Sequence, residues 1–118
     1  MSVATWVGVA VLGGGGAVLR YRIDTALSAR TGRALPLGIF AVNISGAFAL
    51  GLLAGSGVED DVLVLAGTGL LGAYTTFSTW MLQTQVLARD GRGRLAVTYV
   101  VASIVVGFIA VAAGRGLA

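Results

Sequence analysis

The sequence predicts an all-α integral membrane protein: one domain of four transmembrane helices over residues 1–118, the third helix broken near residues 72–75. Composition and charge spacing predict the class. Apolar residues make up 57% of the chain, and eight basic and five acidic residues are its only charges. That apolar share exceeds what an average soluble domain carries, and the charged share falls well below it. The charges also cluster, leaving uncharged windows over residues 3–19, 35–57, 62–88 and 95–113. Each window is close to the roughly 20 residues a helix needs to cross about 30 Å of hydrocarbon. The break is predicted by Gly72-Ala73-Tyr74-Thr75-Thr76-Phe77-Ser78-Thr79-Trp80, in the middle of the third window. A lipid-facing helix has no use for such a cluster, because an unpartnered hydroxyl in hydrocarbon is costly.

The first helix is expected over about residues 3–28. No basic residue precedes its apolar run and its second half is glycine-rich, so it reads as a crossing and not as a cleaved signal. Its four glycines at 13–16 lack both the preceding strand and the following Lys-Ser/Thr of a phosphate-binding loop. The second helix, over about 35–57, carries Gly51-Leu52-Leu53-Ala54-Gly55, whose small-xxx-small spacing lets helices approach closely. It also places Asn43 near mid-membrane, where the amide must meet a partner helix or a hydrated path and is able to donate two hydrogen bonds to an anion.

The third helix, over about 62–88, has Gly67, Gly69 and Gly72 crowded just before the hydroxyl cluster, where glycine weakens the helix and permits unusual backbone angles. A helix broken at membrane depth presents carbonyl oxygens at one end and amide hydrogens at the other, suited to a cation and an anion respectively. With no acidic side chain in that window, a cation held there must rely on carbonyls and hydroxyls, a ligand set for a hard ion such as sodium. The last helix, over about 95–113, sets Tyr99 and Ser103 four residues apart on one face.

Cysteine and histidine are absent, which excludes disulfides, thiolate metal sites and imidazole chemistry. All eight basic residues are arginines. Arg20, Arg22, Arg30, Arg33, Arg89, Arg92 and Arg94 fall on the side of the first and third connections, against Arg115 alone on the other, where Glu59, Asp60 and Asp61 also lie. Discounting Arg20 as partly intramembrane leaves the bias intact. The positive-inside rule then directs both termini outward across the cytoplasmic membrane.

The chain resembles the Fluc (CrcB) family of small fluoride channels. The resemblance rests on four ordered motifs: Gly14-Gly15-Gly16-Ala17-Val18-Leu19-Arg20-Tyr21; Pro36-Leu37-Gly38 leading to Val42-Asn43-Ile44-Ser45-Gly46; Gly72 through Trp80; and Tyr99 with Ser103. It implies a subunit that works as an antiparallel dimer, with two fluoride pores and one structural sodium ion at the dimer centre. The sodium would be held by main-chain carbonyls at Gly72 and Thr75 of both subunits. Carried over to the pore are Asn43, Phe77 and Trp80, with hydroxyls at Thr76, Ser78, Thr79, Tyr99 and Ser103, and with Arg20 near a vestibule. The implied function is passive export of fluoride.

The chemistry of these residues agrees. Fluoride is small and strongly hydrated, so a pore must replace its water with hydrogen-bond donors. Phe77 and Trp80 are able to present ring edges, which carry partial positive charge.

Four positions depart from the family pattern: Trp80 in place of a second phenylalanine, Ile39 for a common threonine, Ala47 for a common serine, and Gln83 for a frequent glutamate. Ile39 and Ala47 remove hydroxyls, which keeps open a non-conducting subunit that completes a pore in a homologue. The arginine bias favours one orientation, and hence pairing with an oppositely inserted homologue. A small multidrug exporter has a similar size, but proton-coupled export needs a carboxylate within the crossings and the four windows contain none. No nucleotide loop or catalytic constellation is present, so enzymatic activity, energy-coupled transport and a nucleic-acid partner are not expected.

Overall fold

The computed structural model describes every residue from Met1 to Ala118 and contains four helical crossings without strands. The first is α1, Val3–Thr31. Ser2 caps it, accepting the Thr5 N–H at 3.1 Å. It runs three residues beyond the expected end because its arginines do not stop it. Gly32 does, with φ 76° and its N–H returned to the Ser28 carbonyl. The second, α2, spans Leu37–Gly55. It starts after Pro36, since a proline ring disfavours helical geometry in the residue before it, here Leu35.

The third crossing is composite. A short α3, Asp60–Val62, places Asp60 and Asp61 at the positive end of the helix dipole. Leu63–Leu71 then winds more widely, as a π-helix, so that the Gly72 N–H reaches back five residues to the Gly67 carbonyl. After α4, Gly72–Tyr74, the chain leaves the helical path at Thr75 (ψ 158°) and resumes it in α5, Ser78–Arg89. The break thus begins at the last residue of the expected window and extends to Phe77. The glycines upstream do not break the helix but widen it. The fourth crossing, α6, spans Gly93–Leu117, following a turn at Gly91 (φ 75°).

Close backbone approach holds the crossings together. A Cβ on Gly51 would run into the Val111 carbonyl, and one on Gly114 into the Phe48 carbonyl, so α2 and α6 lie in direct backbone contact where they cross. In the same way Gly16 of α1 sits against the Leu70 carbonyl. Leu87, Ala96 and Tyr99 join α5 to α6, with Phe40 and Trp80 packed around them. Only 15 of 118 residues are buried, so the subunit has little interior of its own and turns most of its apolar surface outward.

The four crossings each have the length and hydropathy of a membrane span. Arg33 and Arg92 line a common groove, and the Arg92 guanidinium donates to the Ala34 carbonyl, so the first and third connections share one end of the bundle. Replacing Gly114 with Val forces apart the α2–α6 crossing, with an expected loss of about 1–3 kcal/mol. A lower melting midpoint in detergent checks this, and an unchanged midpoint refutes the close-approach reading.

Candidate functional site

The site is built on the broken backbone at residues 75–77. In an unbroken helix the Thr76 N–H would pair with the Gly72 carbonyl. Instead it donates to Asn43 Oδ1 at 2.9 Å, while Asn43 Nδ2 donates back to the Thr76 carbonyl at 3.0 Å. The side-chain amide of α2 therefore pairs with the peptide as a neighbouring strand would, satisfying both groups of one exposed residue. The Leu71 carbonyl accepts both the Thr75 N–H and the Thr75 hydroxyl, each at 3.0 Å. Those two hydrogen bonds close the helix before the break. On the far side Thr76 Oγ1 accepts the Thr79 N–H at 3.3 Å and caps α5.

Neighbouring residues hold this geometry. A Cβ on Gly46 would strike the Thr75 methyl, so only glycine lets α2 lie against the break. Ser45 donates to the Val42 carbonyl at 3.1 Å, which leaves its oxygen to accept from the buried Tyr74 hydroxyl at 2.8 Å. From α1, Arg20 Nη1 donates to the Thr75 carbonyl at 3.4 Å.

A groove of about 350 Å³ opens beside the break, lined among others by Asn43, Gly72, Thr75, Thr76, Phe77 and Trp80. Phe77 is 71% exposed, its ring unsupported on one side. Trp80 meets Phe77 edge to face, with centroids 5.7 Å apart at 70°, and Tyr99 likewise at 6.5 Å and 75°. Two hydrogen bonds cross from α5 to α6: Trp80 Nε1 donates to Ser103 Oγ at 3.1 Å, and Tyr99 donates its hydroxyl proton to Gln83 Oε1 at 3.0 Å.

Of the residues singled out from the sequence, Asn43, Gly72, Thr75, Thr76, Phe77 and Trp80 meet at this groove. Tyr99 and Ser103 lie behind Trp80 on the α5–α6 seam. Arg20 sits at the back of the break, Ser78 is exposed and Thr79 half-buried in the first turn of α5. Tyr99 has a single proton and gives it to Gln83, so Ser103 is the better-placed donor of the two. Gln83 was legible only as a departure from a family pattern, and Ser45 carried no signal of its own until Tyr74 was placed against it.

The donors and acceptors are neutral apart from Arg20. No group of three or more His, Cys, Asp or Glu residues converges anywhere in the chain. The Gly72 carbonyl, deprived of its helical donor by the Asn43 pair, and the Thr75 carbonyl are oxygen ligands of the kind a hard monovalent cation takes. They supply too few ligands for a closed shell, and the Arg20 charge beside Thr75 opposes a cation there. At the other end of the break, α5 begins with the positive end of its dipole.

The family described as CrcB-like protein, Camphor Resistance (CrcB), matches residues 7–115. A protein of Mycolicibacterium paratuberculosis named fluoride-specific ion channel FluC 2 is 49% identical over 117 residues, covering 99% of this chain and 96% of the relative. A namesake from Mycobacterium tuberculosis is 47% identical over 118 residues, covering 100% and 94%. Fluoride-specific ion channel FluC 1 of Symbiobacterium thermophilum is 43% identical over 120 residues, covering 97% and 95%.

Replacing Asn43 with the near-isosteric Leu leaves the Thr76 N–H and carbonyl unpaired, at a cost of about 1–3 kcal/mol for each buried group. Amide exchange at Thr76 in detergent micelles should accelerate strongly, while exchange along α6 stays unchanged. Equal exchange in the variant would mean that the pair does not hold the break.

Proposed function

The chain belongs to the CrcB family, and from that membership and the geometry of the break we propose that it is the subunit of a passive fluoride channel. The supporting observation is the Asn43–Thr76 pair, which holds open a break whose surroundings offer hydrogen-bond donors and ring edges to an anion and no carboxylate to repel it. A desolvated fluoride needs such donors, and an uncharged lining binds it firmly enough to enter yet weakly enough to leave. Asn43 keeps one amide hydrogen beyond the pair. The Ser78 and Thr79 hydroxyls add donors, and Phe77 and Trp80 add edges.

As a channel the protein is no enzyme. Transport runs down the gradient, since the chain carries no nucleotide loop. A negative membrane potential drives the anion outward, lowering fluoride in the cell.

The open groove and the exposed Phe77 support an antiparallel dimer in which a second subunit covers the break. The partial carbonyl shell of Gly72 and Thr75 would be completed there by the same pair from the partner, whose added oxygens would have to outweigh the Arg20 charge beside Thr75. A sodium ion so held would supply fixed positive charge that lowers the cost of an anion at membrane depth. With Arg20 drawn to the break, the remaining six-to-one arginine bias supports a chain inserted in one orientation, termini outward across the cytoplasmic membrane, and therefore a partner that is an oppositely inserted homologue. A second reading has support in Ile39 and Ala47 and in the commitment of Tyr99 to Gln83: a non-conducting subunit that completes its homologue's pore.

Fluoride efflux from liposomes, read with a fluoride electrode against a chloride control, tests these readings. The purified chain, alone or with an oppositely inserted homologue, should release fluoride selectively. Asn43→Ala and Phe77→Ile should each slow that release by about tenfold or more, equivalent to some 1.4 kcal/mol of lost stabilisation. Efflux in the mixed assembly that ignores both substitutions would leave the non-conducting reading standing. Release of chloride as fast as fluoride would sink both.

A further inference from the structure

We propose that Trp80 is a positioning residue: its indole N–H fixes the direction in which the Ser103 hydroxyl donates to the passing anion. The inference rests on the fluoride-channel reading and adds to it a role for the residue by which this chain differs at the aromatic pair. A serine hydroxyl rotates freely and is able to turn either its proton or a lone pair toward a neighbour. Four threonine hydroxyls settle the choice by bonding to the carbonyl four residues earlier: Thr31 to Leu27, Thr75 to Leu71, Thr84 to Trp80 and Thr98 to Arg94. Ser103 does otherwise. Its oxygen accepts from Trp80 Nε1 at 3.1 Å, and that bond occupies the lone pair on the Trp80 side.

Three consequences follow from that one bond. The Ser103 proton is turned away from the indole, so an anion on this face of α6 meets a donor and not a lone pair. Donation into the oxygen polarises its O–H and strengthens the outgoing bond, as chains of hydrogen bonds do in low dielectric. The indole N–H is itself satisfied, so it makes no separate sticky site that would hold the anion in place. Tyr99 cannot take the role, because its only proton goes to Gln83 at 3.0 Å. The ring of Trp80 is meanwhile fixed edge-on between Phe77 and Tyr99, which leaves the N–H one direction in which to point. A phenylalanine at this position would keep the edges and lose the orientation of Ser103.

The test uses the assembly that carries fluoride in the liposome assay. Trp80→Phe and Ser103→Ala should each slow fluoride efflux by about tenfold, and the double variant should be no slower than either single one, because both remove the same directed donor. Ser103→Thr, which keeps the hydroxyl, should slow efflux less than Ser103→Ala does. The second readout is the emission of Trp80 alone, in a Trp6→Phe background. It should shift on titration with fluoride, and the shift should disappear with Ser103→Ala although Trp80 is intact. A Trp80→Phe chain that conducts at the original rate, multiplying effects in the double variant, or an emission shift that survives Ser103→Ala each overturn the role while leaving the channel reading in place. An unsubstituted assembly that passes no fluoride overturns the channel reading, and this role with it.

Discussion

The reciprocal pair between the Asn43 amide and the Thr76 peptide is the interaction on which the rest of the site depends. Inside a membrane an unpaired N–H or carbonyl costs several kcal/mol, with no water to make up the loss. A helix therefore opens at depth only where something else supplies the missing partners. Here one side chain supplies a donor and an acceptor together, at 3.0 and 2.9 Å. The remaining local bonds are arranged around that exchange. Leu71 closes one helical end by accepting twice from Thr75, and Thr76 opens the next by capping it with its own hydroxyl. A single residue, Thr76, is thus clamped through its backbone and caps through its side chain.

Such a clamp works only at short range, and glycine sets the range. Asparagine reaches the Thr76 peptide because Gly46, three residues further along α2, lets that helix lie against Thr75 without a Cβ between them. On the opposite flank Gly16 brings α1 up to the Leu70 carbonyl, and this approach delivers Arg20 to the Thr75 carbonyl. Between lipid-exposed helices there is little hydrophobic gain from association, so packing of this kind and interhelical hydrogen bonds do most of the holding. The glycine content of the chain, 19 of 118 residues, is intelligible on that ground. Helix propensity is given up in exchange for backbone contact, most plainly at Gly51 and Gly114, where a side chain on either would collide with the other helix's backbone.

The class of fold was legible because it depends on bulk properties: the spacing of charges and the length of apolar windows. The break was legible because hydroxyls crowded between glycines and aromatics have no other use in hydrocarbon. Its position shifted by a few residues, since a local reading assigns the break to the glycines, whereas the residue that captures the peptide lies 33 positions away on α2. The wide winding of Leu63–Leu71 left no separate trace, as its glycines also suit ordinary close packing. Pairings such as Trp80 with Ser103, Tyr99 with Gln83 and Tyr74 with Ser45 depend on how neighbouring crossings are rotated, which apolar periodicity cannot fix in helices that face lipid on most sides. The members of the polar set were therefore readable from sequence, and their partners were not.

The asymmetry of the molecule bears on what the proposed partner must bring. The subunit supplies one clamped break, two exposed carbonyls and a largely uncovered aromatic ring, all opening into one groove. Arg20 at the break and Arg115 apart, its arginines belong to the end where Arg33 and Arg92 line one groove. A second copy inserted the same way, related by an axis normal to the membrane, would bring like charges to the same end and run its broken helix parallel to the first, with the dipoles of the two half-helices aligned and repelling. An inverted partner runs those dipoles in opposition and distributes the arginines to both faces. The inverted arrangement is electrostatically favoured at the break itself, whereas the distribution of arginines opposes insertion of this same sequence in the inverted sense. The two demands are met together by a homologue whose charge bias is reversed and whose own break presents the same carbonyls.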